Sequence, residues 1–186
     1  MYQIRELDIP GVLLFQPRVF SDERGSFVEL WNAAREARAG FAEQFVQDNL
    51  VRSRRGVLRG LHFQSPHAQG KFVTAAYGEI YDVAVDVRPG SRTFGQWVAQ
   101  QLNADAGVAV YIPPGFAHGY QVVSPEAVVV YKCTELYHPE CDHSIAWNDR
   151  QLAIQWPIAD AVLSEKDRNA PSFEAVCNEL GLHASA

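Results

Sequence analysis

Sulfur is scarce: the 186 residues contain three cysteines (Cys133, Cys141 and Cys177) and one methionine. No Cys-x-x-Cys pair occurs, which excludes a thiolate zinc knuckle and a dithiol redox motif. An odd, small number of thiols does not build a disulfide framework, so a reducing, cytoplasmic setting is expected. Long apolar runs are missing too. None approaches the roughly 20 residues that a membrane-spanning helix needs. The first residues, Met1-Tyr2-Gln3-Ile4-Arg5-Glu6, place charges before any apolar run, unlike a secretory signal. Acid is absent from one long cationic stretch. Asn49 to Gly78 holds no Asp or Glu, yet it carries Arg52, Arg54, Arg55, Arg59 and Lys71.

That gap matters because the whole chain is acidic, with a formal charge of −6. A diffuse negative balance argues against nucleic acid and anionic membranes as partners. A cationic island within it points to a small anion. Hydrophobic residues at 47% and charged residues at 20% describe a globular chain with material for a core. No linker, repeat or low-complexity segment breaks the sequence. One domain over 1–186 is expected, near the usual size of about 150 residues.

Most of the chain reads as short strands punctuated by Gly and Pro. They are Val12–Phe15, Phe27–Trp31, Gly56–Phe63, Lys71–Tyr77, Tyr81–Val87, Gln96–Leu102, Val108–Ile112, Tyr120–Val123 and Val128–Cys133. In Tyr81–Val87, Asp82, Ala84 and Asp86 alternate with apolar residues, the period of a strand with one polar face. Strands about ten residues apart predict an all-β sandwich or barrel. Two helices are expected. Asn32–Ala39 has an N-cap residue and a following Gly40, and Ser172–Leu180 is framed by Pro171-Ser172 and Gly181. The tail, 164–186, is expected to be helical and peripheral.

Four places can carry chemistry. In Gly56-Val57-Leu58-Arg59-Gly60-Leu61-His62-Phe63-Gln64, strict alternation puts His62 and Gln64 on one face and Arg59 on the other. Gly56 and Gly60 allow a bulge that would change those faces. His62 read alone is better explained as a structural histidine bonded to a backbone carbonyl. Pro113-Pro114-Gly115 forms a turn that delivers His118 to the next strand. Tyr131 ends an apolar strand, where a phenol is a weak acid suited to protonating a carbanion or an ordinary packing group. Asp167, in Leu163-Ser164-Glu165-Lys166-Asp167, is either a turn residue or a carboxylate that fixes the tautomer of a histidine.

The spacing from Gly56 to His62, with Pro113-x-Gly115-x-x-His118, resembles the two motifs of the cupins. Where metal-binding cupins carry a second histidine and a glutamate, this sequence has Gln64 and Lys71. An ammonium repels a divalent cation and an amide is a poor ligand for zinc or iron. A lysine there can instead stabilise negative charge developing on oxygen. The alternative is a solvated lysine at a strand start.

Taken together, the motifs resemble the dTDP-4-dehydrorhamnose 3,5-epimerase family, from about Ile9 to Pro171. They are Phe20-Ser21-Asp22-Glu23-Arg24-Gly25-Ser26-Phe27-Val28-Glu29, Gln47-Asp48-Asn49, the His62 segment, Asp82–Arg88, Pro114–Gly119, Tyr131-Lys132-Cys133, Ile145–Asp149 and Leu163–Asp167. The resemblance implies a cupin-type jelly roll that dimerises and works without metal or redox cofactor. It implies epimerisation of dTDP-4-dehydro-6-deoxy-D-glucose at carbons 3 and 5, a step of dTDP-L-rhamnose synthesis. A relative acting on one carbon only is the nearest alternative. By resemblance His62 is the base, Asp167 its partner and Tyr131 the proton donor. Arg24, Glu29, Gln47, Asp48, Asn49, Arg59, Lys71, His118 and Lys166 match substrate-binding positions. Asp142 stands where the family has Glu, and Ser26 where it has an aromatic. Lys71 is assigned the enolate, Arg59 and Arg24 the diphosphate, and Tyr137 a stack on thymine. The resemblance also implies that N-terminal strands cross to a partner, carrying Arg24 and Glu29.

Overall fold

Alternating apolar positions on short strands dictate sheets that must be covered on their apolar faces. The computed structural model describes residues 2–184 and builds two antiparallel sheets packed face to face. Met1 and the last two residues of the 164–186 tail lie outside the described residues. The larger sheet runs, in spatial order, β1 (Gln3–Glu6), β2 (Leu13–Gln16), β10 (Ala109–Ile112), β7 (Lys71–Tyr77), β12 (Glu126–Cys133) and β5 (Gln47–Arg54). The smaller runs β13 (Asp142–Ser144), β6 (Leu58–Gln64), β11 (Phe116–Val122), β8 (Glu79–Asp86) and β9 (Trp97–Asn103). A separate hairpin pairs β3 (Val19–Asp22) with β4 (Gly25–Val28). This is the expected all-β, cupin-like fold. The expected strand Phe27–Trp31 is instead the end of this hairpin followed by irregular chain.

Three cores follow from the alternation. Leu14, Val73, Val110, Ile112, Ile80 and Val129 fill the space between the sheets. Their sequence neighbours Phe15, Phe72 and Tyr111 face outward, where Phe41, Trp31 and Phe45 cover them. That layer carries the helix α1 (Ala33–Arg38), capped by the Asn32 side chain as expected. On the other side, Leu61, Phe63, Val83 and Val85 pack under Ile145, Leu152, Phe173 and Val176. Phe173 and Val176 belong to α3 (Phe173–Leu180), which begins at Ser172 and ends at Gly181 in the left-handed conformation. The short helix α2 (Glu165–Arg168) precedes it.

The polar face of β8 turns inward rather than to solvent. Asp82 and Asp86 are 2% and 0% exposed. Each is satisfied there: His118 meets Asp82, while Arg88, Ser91 and Thr93 all donate to Asp86. Burial alone would raise the Asp86 pKa, but these hydrogen bonds hold it below the usual carboxylate range.

Candidate active site

A single extra residue in β6 sets the geometry of the site. His62 lies opposite His118 on β11, but Arg59 lies opposite Tyr120, so the register shifts between them. His118 and Tyr120 share a face, and therefore Arg59 and His62 share one as well. Strict alternation would have separated them; the bulge unites them. Gly60 makes this possible. Its φ is +125°, and a Cβ there would lie 2.5 Å from the Gly119 Cα. Only glycine tolerates both.

The inward faces of β5, β12 and β7 form the opposite wall. Their register aligns Gln47, Cys133 and Lys71 in one row, and Asn49, Tyr131 and Val73 in the next. Between the walls lies a cavity of about 320 Å³. His62, Lys71, Tyr131, Gln47, Asn49, Tyr137 and Asp142 line it, together with Phe63, Gln64, Gln69 and Cys133. His62 and Tyr131 thus reach the same space from opposite sheets.

His62 Nε2 lies 2.5 Å from Asp167 Oδ1. Asp167 is 3% exposed, and the Ser164 hydroxyl donates to its other oxygen at 2.7 Å. Ser164 also caps α2, so the helix start that sequence rules predict for Ser-x-x-Asp fixes the carboxylate. Burial pushes the Asp167 pKa up, but hydrogen bonds from His62 and Ser164 outweigh it and hold the group ionised below the usual range. An ionised acceptor at Nε2 keeps the proton on that nitrogen and leaves Nδ1 with its lone pair.

Lys71 differs from the other cations of the site. Among the described residues its ammonium has no hydrogen bond or ion pair. Burial lowers its pKa, and the charges of Cys133, Asp142 and Asp82 partly oppose that shift. A desolvated ammonium without a protein partner is available to a ligand oxygen. Tyr131 shifts the other way. Burial raises its pKa, with Cys133 and Asp142 adding to the rise and Arg59 opposing it. The phenol therefore keeps its proton at neutral pH.

The remaining expected residues fall into two groups. Asp142 accepts from Lys166 Nζ at 2.6 Å and from the Tyr137 hydroxyl at 2.9 Å, which places Lys166 at the rim. His118 is bonded to Asp82 at 2.8 Å behind the lining residues. Arg59 is on the inward face with Nε 3.2 Å from Ser53 Oγ, beyond the cavity lining. Three residues are not brought to this cavity. Asp48 alternates to the outer face of β5 and pairs with Lys132 at 3.0 Å. Arg24 sits in the β3–β4 hairpin, 84% exposed, against Asp22. Glu29 pairs with Arg35 at 2.7 Å.

Of the residues that sequence reasoning did not assign, Gln64 is the most informative. It is 4% exposed. Its amide bonds three backbone groups, of His67, Leu136 and His138. Cys133 could have been found from its two-residue offset to Tyr131 on the same strand, whereas Gln69, in the loop before β7, carries no such signal. Among the described residues, no three His, Cys, Asp or Glu side chains converge as a metal-ligating group.

Comparison with known proteins converges on one family. The family model described as dTDP-4-dehydrorhamnose 3,5-epimerase matches residues 6–175. The enzyme of that name from Pseudomonas aeruginosa is 54% identical over 169 residues, covering 90% of this chain and 93% of the relative. A crystal structure of dTDP-6-deoxy-D-glucose-3,5-epimerase from Legionella pneumophila, in complex with dTDP-4-keto-L-rhamnose, superposes with a TM-score of 0.92 at 45% identity. It covers all of both chains. A 3′-monoepimerase from Streptomyces bikiniensis, in complex with dTDP-quinovose, matches at a TM-score of 0.86 and 35% identity. The match covers 96% of this chain and 91% of that one. With the family model matched over most of the chain and the fold shared, the chain belongs to the dTDP-4-dehydrorhamnose 3,5-epimerase family.

Proposed function

We propose that the protein epimerises dTDP-4-dehydro-6-deoxy-D-glucose at carbons 3 and 5, giving dTDP-4-dehydro-L-rhamnose for dTDP-L-rhamnose synthesis. One observation carries the reading: His62 and Tyr131 face one cavity from opposite sheets, with the unpaired ammonium of Lys71 beside them. Inversion at carbon needs a base on one face and an acid on the other. Both hydrogens lie α to the carbon-4 ketone, so loss of either gives the same kind of enolate. His62 Nδ1 takes the proton, and the electron pair moves onto the ketone oxygen. Lys71 stabilises that oxyanion. The Tyr131 phenol returns a proton to the opposite face, leaving phenolate and imidazolium to re-equilibrate with solvent. Asp167 holds the imidazole in this tautomer and orientation.

Around this centre, Arg59 meets the diphosphate, and Tyr137 stacks on the thymine. Gln47, Asn49, His118, Asp142 and Lys166 complete the polar contacts. Asp48, on the outer face, has no place in this chain's own cavity. A homodimer in which N-terminal strands are exchanged gives Arg24 and Glu29 a role in the partner's site. What supports this is their distance from their own cavity and the exposed Phe20 and Phe27 of the same hairpin. The three unpaired thiols fit a cytoplasmic setting.

Turnover of the substrate in deuterated water, followed by mass spectrometry, tests the reading. Two exchanged carbon-bound positions are expected. One position identifies a single-carbon epimerase, as in the Streptomyces bikiniensis relative, and none overturns proton abstraction altogether.

A further inference from the structure

The segment from Glu135 to His138 crosses the cavity mouth with no strand or helix of its own. Four consecutive residues nevertheless each have a backbone group bonded by a glutamine side chain, beside the Leu136 N–H on Glu135 Oε1 and the Cys141 N–H on the His138 carbonyl. Gln69 Nε2 donates to the Glu135 carbonyl at 2.8 Å, and Gln64 Nε2 to the Leu136 carbonyl at 3.2 Å. The Tyr137 N–H donates to Gln47 Oε1 at 3.0 Å, and the His138 N–H to Gln64 Oε1 at 2.8 Å. Gln64 directs its second N–H at the His67 carbonyl at 2.7 Å, so each of the three bonds of its amide goes to backbone.

We infer that Gln64 and Gln69 are positioning residues: with Gln47 they staple the 135–138 backbone to the barrel and so hold Tyr137 across the cavity mouth. Tyr137 is 53% exposed, and among the described residues its only other hydrogen bond is from its hydroxyl to Asp142. An exposed aromatic on irregular backbone samples many positions, and binding must then supply the ordering. The staple removes that cost before substrate arrives. An amide suits the task because it donates and accepts at a fixed spacing, which neither a carboxylate nor an apolar side chain of equal size does.

The inference rests on the reading that Tyr137 meets the nucleotide. Its test is a cycle of steady-state kinetics on the intact enzyme. Tyr137→Ala is expected to raise KM. Gln64→Met and Gln69→Met are each expected to raise KM about tenfold, the scale of one lost buried hydrogen bond, with kcat within about twofold. In the Tyr137→Ala background, Gln64→Met should change KM by less than about twofold. A raised KM in Tyr137→Ala with a fully additive effect of Gln64→Met overturns the inference alone. A fall in kcat at unchanged KM in Gln64→Met does the same. An unchanged KM in Tyr137→Ala overturns the reading of Tyr137 and this inference with it. Should Gln64→Met fail to fold, Gln69→Met, which removes a single bond, decides the same comparison.

Discussion

Replacing Asp167 by Asn changes charge and hydrogen-bonding polarity at one buried atom and almost nothing in volume. Asp167 Oδ1 lies 2.5 Å from His62 Nε2, and its second oxygen accepts from Ser164. A hydrogen bond to a charged group contributes about 1.5–3 kcal/mol. At about 1.4 kcal/mol per decade of rate, its loss alone lowers kcat roughly 10- to 150-fold. A second effect depends on Ser164. If the amide oxygen takes the Ser164 hydroxyl, the amide N–H group faces Nε2 and forces the ring proton onto Nδ1, the nitrogen that must accept. In the Ser-His-Asp triad the same tautomer reversal costs about 10⁴ in kcat. The expected fall for Asp167→Asn is therefore at least tenfold. KM should stay within about twofold, because Asp167 lies behind the cavity wall rather than on it. Solvent deuterium incorporation in single-turnover experiments reads the proton-abstraction step directly. A folded Asp167→Asn enzyme with kcat within threefold of the parent refutes the role given to Asp167. The variant also carries a stability signature. The Asp167 pKa is lowered on folding, so its contribution is present above the unfolded value of about 3.9 and disappears as pH falls through the folded value. The thermal midpoint of the parent should therefore decline below about pH 4 more steeply than that of Asp167→Asn.

Two further outcomes are expected. Burial lowers the Lys71 pKa, so loss of its proton is expected to reduce kcat at a pH below the ordinary lysine value of 10.5; Lys71→Arg should lower kcat but abolish that limb, and an unmoved limb refutes the assignment. Mixing Arg24→Ala subunits with His62→Ala subunits should restore activity that each lacks alone, because one site of the mixed dimer then holds both native residues; no restoration shows that Arg24 does not serve a partner.

Much of the fold was legible because its interior strands are strongly apolar with period 2. Lys71–Tyr77 and Val128–Cys133 match β7 and nearly all of β12, and both capped helices form where Asn32 and Ser172 predict. Strand β5 was not legible. Its sequence, QDNLVRSR, is polar on both faces because it is an edge strand, with Asp48, Leu50 and Arg52 outward and Gln47 and Asn49 facing the cavity. The hairpin strands β3 and β4 have little core to bury, and β1 and β13 are only four and three residues long, too short for periodicity to register. The site was readable as residue types, and its faces were not. A bulge at Gly60 reverses the side on which Arg59 lies, and no alternation rule anticipates a positive φ within a strand.

The acid-free stretch divides along the same lines. Arg52 alternates outward on β5 and meets Glu126 at 3.5 Å, and Arg55 donates to the Val123 carbonyl, so neither adds charge to the cavity. Lys71 lines the cavity, and among the described residues no carboxylate forms an ion pair with it. The two histidines are treated oppositely to Lys71. His62 and His118 each meet a buried aspartate, which commits one ring nitrogen and leaves the other. Gln64, in the place of a second histidine ligand, is committed wholly to backbone. A barrel position that could hold a metal donor has thus become a loop clamp, and its neighbour has become an unpaired cation. An unpaired ammonium costs desolvation free energy that only an arriving anion returns. That return is largest when the carbonyl oxygen carries its full enolate charge, so the cation favours the transition state over the ground-state ketone.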